Sequence, residues 1–244
     1  MVIYDTQQRK KVLFEPIKEN EVKIYVCGPT VYDDAHLGHA RSALAFDLLR
    51  RVFIALGFNV TFVKNFTDID DKIIVKMKER KKSLEEITAY YINRYKDEMN
   101  SLGVKDADIE PKATESIEEI IEFINSLLDK DIAYITDQSV YFDTAKDKNY
   151  LSLSHKNIEE NMSQSRIEGD EQKRNSKDFA LWKFSKAGEP TFDAPFGAGR
   201  PGWHIECSAM IEKHLHSKGD FQIDIHAGGA DLLFPHHENE AAQT

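Results

Sequence analysis

Residues 21–66 read EVKIYVCGPTVYDDAHLGHARSALAFDLLRRVFIALGFNVTFVKNF. Residues 21–28 are rich in β-branched and aromatic side chains and end in Gly-Pro, which is typical of a buried strand that stops at a turn. Apolar residues recur at helical spacing over about residues 38–56, and Gly57 provides a C-terminal stop. Residues 59–66 return to strand composition. Strand, helix and strand with short connections predict a parallel crossover unit, the start of a Rossmann-like sheet in an α/β fold.

The rest of the chain interrupts this alternation of strands and helices once. Apolar residues recur with helical periodicity over residues 83–102 and 114–128, and Thr114 is the expected N-cap of the second helix. Two short strand-like runs in residues 132–142 indicate a hairpin, which an inserted α+β subdomain explains most simply. The polar residues 156–177 predict a surface stretch. The sheet domain resumes with a helix, a strand and a second helix, predicted over residues 202–216, 221–226 and 232–243.

The composition argues against some classes of function. The chain has 244 residues, of which 41% are hydrophobic, so it can bury a substantial core. Its net charge is −10, from 32 basic and 42 acidic residues, which argues against nucleic-acid binding driven by overall charge. Any RNA contact therefore needs a local basic patch. The Lys- and Arg-rich residues 72–82 are interpreted as the solvated side of an amphipathic helix.

The expected location of the protein is the cytoplasm. No run of about 18 apolar residues is present, and charges come too early in the N-terminal sequence for a signal peptide. The sequence therefore predicts no membrane partner. Cys27 and Cys207, the two cysteines, lie far apart in the sequence. In a reducing compartment a metal or catalytic role is favoured over a disulfide for them.

His36, Leu37, Gly38 and His39 lie after the first predicted strand, at the start of the long helix. Unpaired backbone N–H groups at a helix N-terminus favour phosphate, and Gly38 lets a ligand approach the backbone closely. Two imidazoles can donate hydrogen bonds to charge that develops on a phosphoryl centre. Two histidines at a helix start are more often structural, but their position after the first strand favours an anion site.

Four side chains can form a site for a soft metal: Cys27, Cys207, His236 and Glu240. Each follows a strand or lies in a helix next to one, so all four can meet at the carboxyl edge of a parallel sheet. His236 and Glu240 share a helix face at i, i+4, and His237 with Glu240 at i, i+3 is also allowed. Two thiolates, one imidazole and one carboxylate suit zinc. From spacing alone, core cysteines beside a polar helix start are an equally favoured interpretation.

A third group of side chains, Trp203, His204 and His226, is predicted near this metal site. Gly228 and Gly229 leave space in front of the strand, so the three side chains can line a small pocket. The alternative is that each is simply packed in the core, as a single Trp or His more often is.

Five segments, taken in order, resemble the motifs of one family: IYVCGPTVYDDAHLGHAR, NFTDIDDK, LWK, GAGRPGWHIECSAM and DIHAGGADLLFPHHENE. Together they are similar to cysteinyl-tRNA synthetases, and they span nearly the whole chain. The HxGH pattern is shared by class I synthetases, whereas GWHIECSAM and FPHHENE are far more specific. The resemblance implies a nucleotide-binding catalytic domain whose first half is residues 1–110, with an inserted connective subdomain at 111–200 and the start of the second half at 201–244.

The resemblance also implies roles for individual residues. One zinc ion would be bound by Cys27, Cys207, His236 and Glu240. This set decides between the two neighbouring histidines in favour of His236. The signature that contacts ATP would be residues 36–39, in which His36 and His39 stabilise charge during catalysis. The cysteine pocket would be lined by Thr67, Trp203 and His226.

The implied reaction is attack of the cysteine carboxylate on the α-phosphate of ATP, with magnesium, followed by transfer of cysteine to tRNA(Cys). Such phosphoryl chemistry requires positioning and charge stabilisation rather than a strong base. A pocket based on shape separates near-isosteric side chains by only about 1–3 kcal/mol, so a bond from the substrate thiolate to zinc explains selectivity for cysteine. The family is often monomeric.

Two parts of the family have no counterpart in the sequence. No segment matches the KMSKS loop, whose lysines hold the triphosphate, and the helical domain that recognises the anticodon is absent. A truncated synthetase piece or a reduced relative of the family would explain this, and the sequence favours a truncated piece that is nearly inactive alone. The alternatives are a zinc-dependent cysteine-binding module without catalysis and a cysteine ligase that acts on a small-molecule amine.

Overall fold

The computed structural model describes residues 1–156, 172–215 and 223–244. Most of the predicted surface stretch 156–177, and the first two residues of the strand predicted at 221–226, lie outside these ranges. The described strands and α-helices are, in chain order, β1 (Val2–Asp5), β2 (Lys10–Leu13), β3 (Glu21–Val26), α1 (Leu37–Ala55), β4 (Asn59–Lys64), α2 (Asp71–Arg80), α3 (Leu84–Ser101), α4 (Ile117–Asp129), β5 (Ala133–Ile135), β6 (Ser139–Phe142), β7 (Phe179–Phe184), β8 (Gly199–Pro201), α5 (Trp203–Leu215), β9 (Ile225–Ala227) and α6 (Glu238–Gln243).

The chain forms two compact units. The first unit comprises Met1–Phe14, Ile120–Ser208 and Asp231–Thr244. The second unit comprises Glu15–Glu119 and Ala209–Ala230. The expected division at residues 110 and 200 stays a prediction. None of the described helices is long and apolar enough to span a membrane.

The second unit contains a parallel sheet with the strand order β4, β3, β9. β3 runs parallel to β4 from Glu21 opposite Asn59 to Val26 opposite Lys64, and it runs parallel to β9 on its other side. The side chains of Val22, Ile24 and Tyr25 in β3 are fully buried, as expected of a central strand. The predicted crossover from β3 through α1 to β4, and with it the α/β class, is confirmed.

Helices α2 and α3 of the second unit begin at side-chain caps. Asp70 accepts a hydrogen bond from the backbone N–H of Lys72 at the start of α2. Ser83 and Glu86 form a reciprocal capping box at the start of α3, so the helix predicted over residues 83–102 begins where the sequence indicates. The apolar sides of both helices pack into a buried cluster that includes Phe66 and Ile73.

The first unit contains an antiparallel sheet with the strand order β5, β6, β7, β8. β5 pairs with β6 from Ala133 opposite Phe142 to Ile135 opposite Val140, so the predicted hairpin is confirmed. Trp182 of β7 is fully buried, and its indole N–H donates to the backbone oxygen of Gly197 at 3.1 Å. A separate two-stranded hairpin is formed by β1 and β2.

The predicted cap of α4 is wrong. Thr114 lies in a single 3-10 turn, Ala113–Ser116, and α4 begins only at Ile117. The backbone N–H and the hydroxyl of Thr114 both donate to the Asp68 carboxylate, at 2.9 and 2.5 Å. The hydroxyl therefore makes a tertiary bond instead of capping its own helix. Burial of Asp68 raises the pKa of its carboxyl, an effect that these two bonds oppose.

The single helix predicted over residues 232–243 is also wrong. The chain passes through a wide π-type turn, Leu233–His237, in which Phe234 is extended with φ −141° and ψ 132°. The cause is Pro235, because the residue before a proline is forced out of the helical region and proline itself has no N–H to donate. α6 begins after this turn, at Glu238.

Gly28 follows β3 at a close approach between two backbones. A Cβ at this position would lie 1.6 Å from the backbone oxygen of Asn65. We expect Gly28→Ala to lower the free energy of unfolding in urea by about 1–3 kcal/mol or more, because backbone must move to relieve the overlap. Gly57→Ala is the control and should cost less, since Gly57 has φ +89° but no atom within 4 Å of a new Cβ, so it adds backbone strain without an overlap. Equal destabilisation by the two substitutions would contradict the close approach.

The start of α1 is capped by its own histidines. Nδ1 of His36 accepts from the N–H of Gly38 at 3.0 Å, and Nδ1 of His39 accepts from the N–H of His36 at 3.2 Å. We expect His36→Ala to lower the free energy of unfolding by about 1 kcal/mol, and His36→Asn to preserve it because Asn is a good N-cap. Urea denaturation of both variants measures the difference. If the two variants lose the same amount of unfolding free energy, the capping role of His36 is disproved.

Candidate functional site

The predicted site residues are divided between the two units. The first unit contains Trp203, Cys207, His236 and Glu240. The second unit contains Cys27, residues 36–39, Thr67 and His226. Each group occupies a defined place in the fold of its own unit.

Three of the four predicted metal ligands meet inside the first unit. Nε2 of His236 lies 3.6 Å from Sγ of Cys207 and 2.7 Å from Oε1 of Glu240. One ligand atom from each of the three side chains lies within 4.8 Å of the others, and each side chain is at most 3% exposed. A thiol, an imidazole and a carboxylate that converge on one buried point are a donor set that suits zinc.

Neighbouring rings fix the orientation of His236. The indole of Trp203 stacks on the imidazole, with ring centroids 4.1 Å apart and an interplanar angle of 18°. Nδ1 of His204 lies 3.0 Å from Nδ1 of His236, so one of these nitrogens donates a hydrogen bond to the other. The bond leaves Nε2 of His236 facing Cys207 and Glu240. A metal-binding histidine commonly uses its second nitrogen in this way.

The electrostatics of the cluster favour one positive charge. Burial opposes charge on the His236 ring, but the Glu240 carboxylate and Cys207 outweigh burial and raise the pKa of His236 to about 10. Burial, together with the neighbouring His236, lowers the pKa of His204 to about 3. His204 is therefore neutral near pH 7. Cys207 and Glu240 thus favour a positive charge between them, and either a proton on His236 or a metal ion can supply it.

In the second unit, the carboxyl edge of the parallel sheet gathers three predicted residues. Cys27 follows β3, and its Sγ lies 3.4 Å from Nε2 of His226 in β9. Thr67 follows β4 and is buried. The backbone N–H of Thr67 donates to the oxygen of Pro29 at 3.2 Å, and its oxygen accepts from the N–H of Val31 at 3.1 Å. This edge is where ligands bind in open α/β sheets.

Residues 36–39 present two imidazoles at the N-terminus of α1. The rings of His36 and His39 stack with centroids 3.9 Å apart. The rings of His39 and Tyr95 are nearly perpendicular, with centroids 6.3 Å apart. Because Nδ1 of each ring accepts a backbone hydrogen bond, the neutral rings carry their proton on Nε2. Each ring can therefore offer an N–H donor to an anionic ligand, and Leu37 and Gly38 between them are exposed.

Two further residues, Glu238 and Asn239, lie in the segment that carries two ligands and were not predicted as site residues. Both side chains are almost completely buried, and both make hydrogen bonds to residues 150–154. Their place between His236 and Glu240 in a specific motif is the one signal in the sequence. Nothing local indicates their partners, which lie more than 80 residues earlier in the chain.

The sequence matches known proteins over nearly its whole length. A family model described as the tRNA synthetases class I (C) catalytic domain matches residues 13–244. The cysteine–tRNA ligase of Aliarcobacter butzleri (strain RM4018) is 66% identical, over 99% of this chain and 52% of the relative. That of a Nitratiruptor species is 64% identical, over 100% of this chain and 53% of the relative. The chain thus spans about half the length of the curated relatives it matches.

The fold matches a solved structure. Methionyl-tRNA synthetase of Mycobacterium tuberculosis, in its crystal structure bound by methionyl-adenylate, aligns with a TM-score of 0.66 and 12% identity, over 91% of this chain and 54% of that chain. At this identity the likeness concerns the fold alone, and it confirms the predicted Rossmann-like α/β class. The family model and the relatives confirm the resemblance drawn from the motifs. The chain therefore belongs to the family of class I (C) tRNA synthetase catalytic domains.

Proposed function

We propose that this chain is the cysteine-selecting part of a cysteine–tRNA ligase. In the whole enzyme the cysteine carboxylate would attack the α-phosphate of ATP, giving cysteinyl-adenylate and releasing pyrophosphate. Transfer of the cysteine to the terminal adenosine of tRNA(Cys) would then release AMP. The observation that supports the proposal most is the buried cluster of Cys207, His236 and Glu240, since these donors suit zinc, a thiophilic metal that can bind a substrate thiol. Relatives named cysteine–tRNA ligase add independent support.

The proposed metal is a single zinc ion. It would be held by Cys207, His236 and Glu240, with Cys27 as the fourth ligand. When bound, zinc would supply a direct bond to the substrate thiolate, which serine and alanine cannot form. A pocket based on shape alone separates such side chains by only about 1–3 kcal/mol, so this bond accounts for selectivity.

The remaining site residues are proposed to bind and orient the substrates. Thr67, Trp203 and His226 would line the cysteine pocket. His36 and His39 would donate their Nε2 protons in hydrogen bonds to ATP phosphate oxygens and stabilise the charge that develops at the α-phosphate, with magnesium bound to the nucleotide. The carboxylate of cysteine is itself the nucleophile, so no strong base is needed.

The two alternative functions differ in what happens after cysteine binds. A binding module would hold cysteine without activating it, and a small-molecule ligase would pass the cysteine to an amine instead of tRNA. No segment of the 244 residues matches the KMSKS loop. We therefore propose that full activity requires the remaining half of the relatives' length, and that the enzyme acts in the cytoplasm.

Metal content tests the zinc site. We expect about one zinc per chain in the purified protein, and its loss in Cys207→Ser and in His236→Gln, because removal of one of four ligands weakens binding strongly. His237→Gln is the matched control and should keep the metal. Inductively coupled plasma mass spectrometry after dialysis gives the content. A metal-free wild-type chain, or loss in the His237 variant alone, would contradict the proposed ligands.

Binding of an adenylate analogue tests substrate recognition. We expect a non-hydrolysable cysteinyl-adenylate analogue to bind the zinc-loaded chain in calorimetry, and the seryl analogue to bind far more weakly. His36→Asn should weaken binding about tenfold or more, since a hydrogen bond to a charged group contributes about 1.5–3 kcal/mol. This variant keeps the cap of α1, so the loss would not reflect unfolding. Equal affinity for the cysteinyl and seryl analogues would disprove selection by zinc.

ATP–pyrophosphate exchange with cysteine tests catalysis separately. We expect little exchange from the 244-residue chain, because no KMSKS-like lysine is present to hold the triphosphate. Robust exchange would show that the chain needs no such loop. Analogue binding together with exchange in a chain extended to the relatives' length would exclude the binding-module alternative.

A further inference from the structure

Glu238, in the middle of the PHHENE segment, is a buried carboxylate that binds backbone. One oxygen accepts from the N–H of Leu151 at 2.7 Å and from that of Leu153 at 3.4 Å. The other oxygen accepts from the N–H of Ser154 at 2.6 Å. The side chain is 2% exposed. Several backbone donors around one buried carboxylate form a strong, charge-assisted contact.

The next residue, Asn239, binds the same loop. Its Oδ1 accepts a hydrogen bond from the hydroxyl of Tyr150 at 2.6 Å. Farther along α6, Oε1 of Gln243 accepts from the hydroxyl of Ser208 in α5 at 2.7 Å. α6 is therefore joined by side-chain hydrogen bonds at its first turn to residues 150–154 and at its last turn to α5.

The loop at residues 150–155 adopts a shape that its sequence does not favour. Leu151 and His155 have positive φ angles of 78° and 52°, which are rare for residues other than glycine. Such a conformation persists where surrounding contacts determine it. The contacts here come from Glu238 and from the N-terminal hairpin, whose Gln7 backbone oxygen lies 3.0 Å from Nε2 of His155.

The position of His236 relative to Glu240 depends on more than helix geometry. His236 lies in the wide turn before α6, and Glu240 lies in the first turn of α6. The backbone N–H of Glu238 donates to the oxygens of Leu233 and Pro235 across this junction. The side chains of Glu238 and Asn239 add the tertiary contacts that hold the junction against residues 150–154.

We propose that Glu238, assisted by Asn239, is a positioning residue for the metal ligands His236 and Glu240. By binding the loop from Tyr150 to Ser154, the Glu238 carboxylate fixes the junction in which both ligands lie. This inference rests on the proposed zinc site. It assigns Glu238 no contact with the metal or with substrate.

Zinc affinity, measured by competition with a chromogenic chelator on the 244-residue chain, tests the proposal. We expect Glu238→Gln to weaken zinc binding 10- to 100-fold, the range for lost outer partners of a metal site. The amide NH₂ of Gln would face a backbone N–H where the carboxylate now accepts. Tyr150→Phe removes one hydroxyl and should weaken binding by a smaller factor.

Asp178→Asn is the matched control. Asp178 is equally buried in the same unit and accepts from the backbone N–H groups of Thr144 and Asn175 and from the hydroxyl of Tyr134. None of these three partners belongs to the PHHENE segment or to residues 150–154. We expect this substitution to lower the unfolding temperature but to leave zinc affinity within about twofold of wild type.

The outcomes separate the two proposals. A wild-type chain that binds no zinc contradicts the proposed function. Wild-type binding with unchanged affinity in Glu238→Gln, or an equal loss in Asp178→Asn, overturns the positioning role. Circular dichroism establishes folding before each titration. If Glu238→Gln does not fold, Tyr150→Phe decides the matter, and unchanged affinity in that variant overturns the role of the loop.

Discussion

The parallel pairing of β3 with β4 on one side and β9 on the other is the constraint on which the second unit depends. Parallel neighbours cannot be joined by a tight turn, so each connection has to cross the sheet and return to the same edge. Residues at the carboxyl ends of different strands therefore meet although they are far apart in the chain. Cys27 and His226 come within 3.4 Å for this reason. The same edge is where the loop that leads to α1 begins.

The first unit brings its ligands together by a different means. Cys207, His236 and Glu240 come from a helix, an irregular turn and a second short helix. Their donor atoms share one buried point, where the low polarity of the protein interior strengthens attraction for a cation. The stack with Trp203 and the hydrogen bond between His204 and His236 hold the imidazole in one orientation. Geometry and charge at this point thus favour one positive charge, which a proton or a metal ion can supply.

The histidines at the start of α1 combine a structural and a chemical role in the same rings. Nδ1 of His36 and Nδ1 of His39 accept hydrogen bonds within the first turn of the helix. The same bonds select the tautomer in which Nε2 carries the proton that a ligand can accept. An imidazole with one nitrogen committed to the backbone is also held in a single orientation. Stability of the helix and presentation of the donors therefore depend on the same two contacts.

The strand–helix–strand order and the 132–142 hairpin could be predicted from the sequence alone, because hydrophobic periodicity is a local property. The candidate ligands could be named because they lie in specific sequence motifs. The hydrogen bond of Thr114 to Asp68, which replaces the predicted cap of α4, could not be predicted because it depends on packing between distant segments. Pro235 indicates from the sequence alone that residues 232–243 cannot form one continuous helix. The shape of the turn that replaces the helix depends on tertiary contacts and could not be predicted. The contacts of Glu238 could not be predicted, because its backbone donors lie more than 80 residues earlier in the chain and are brought to it only by packing.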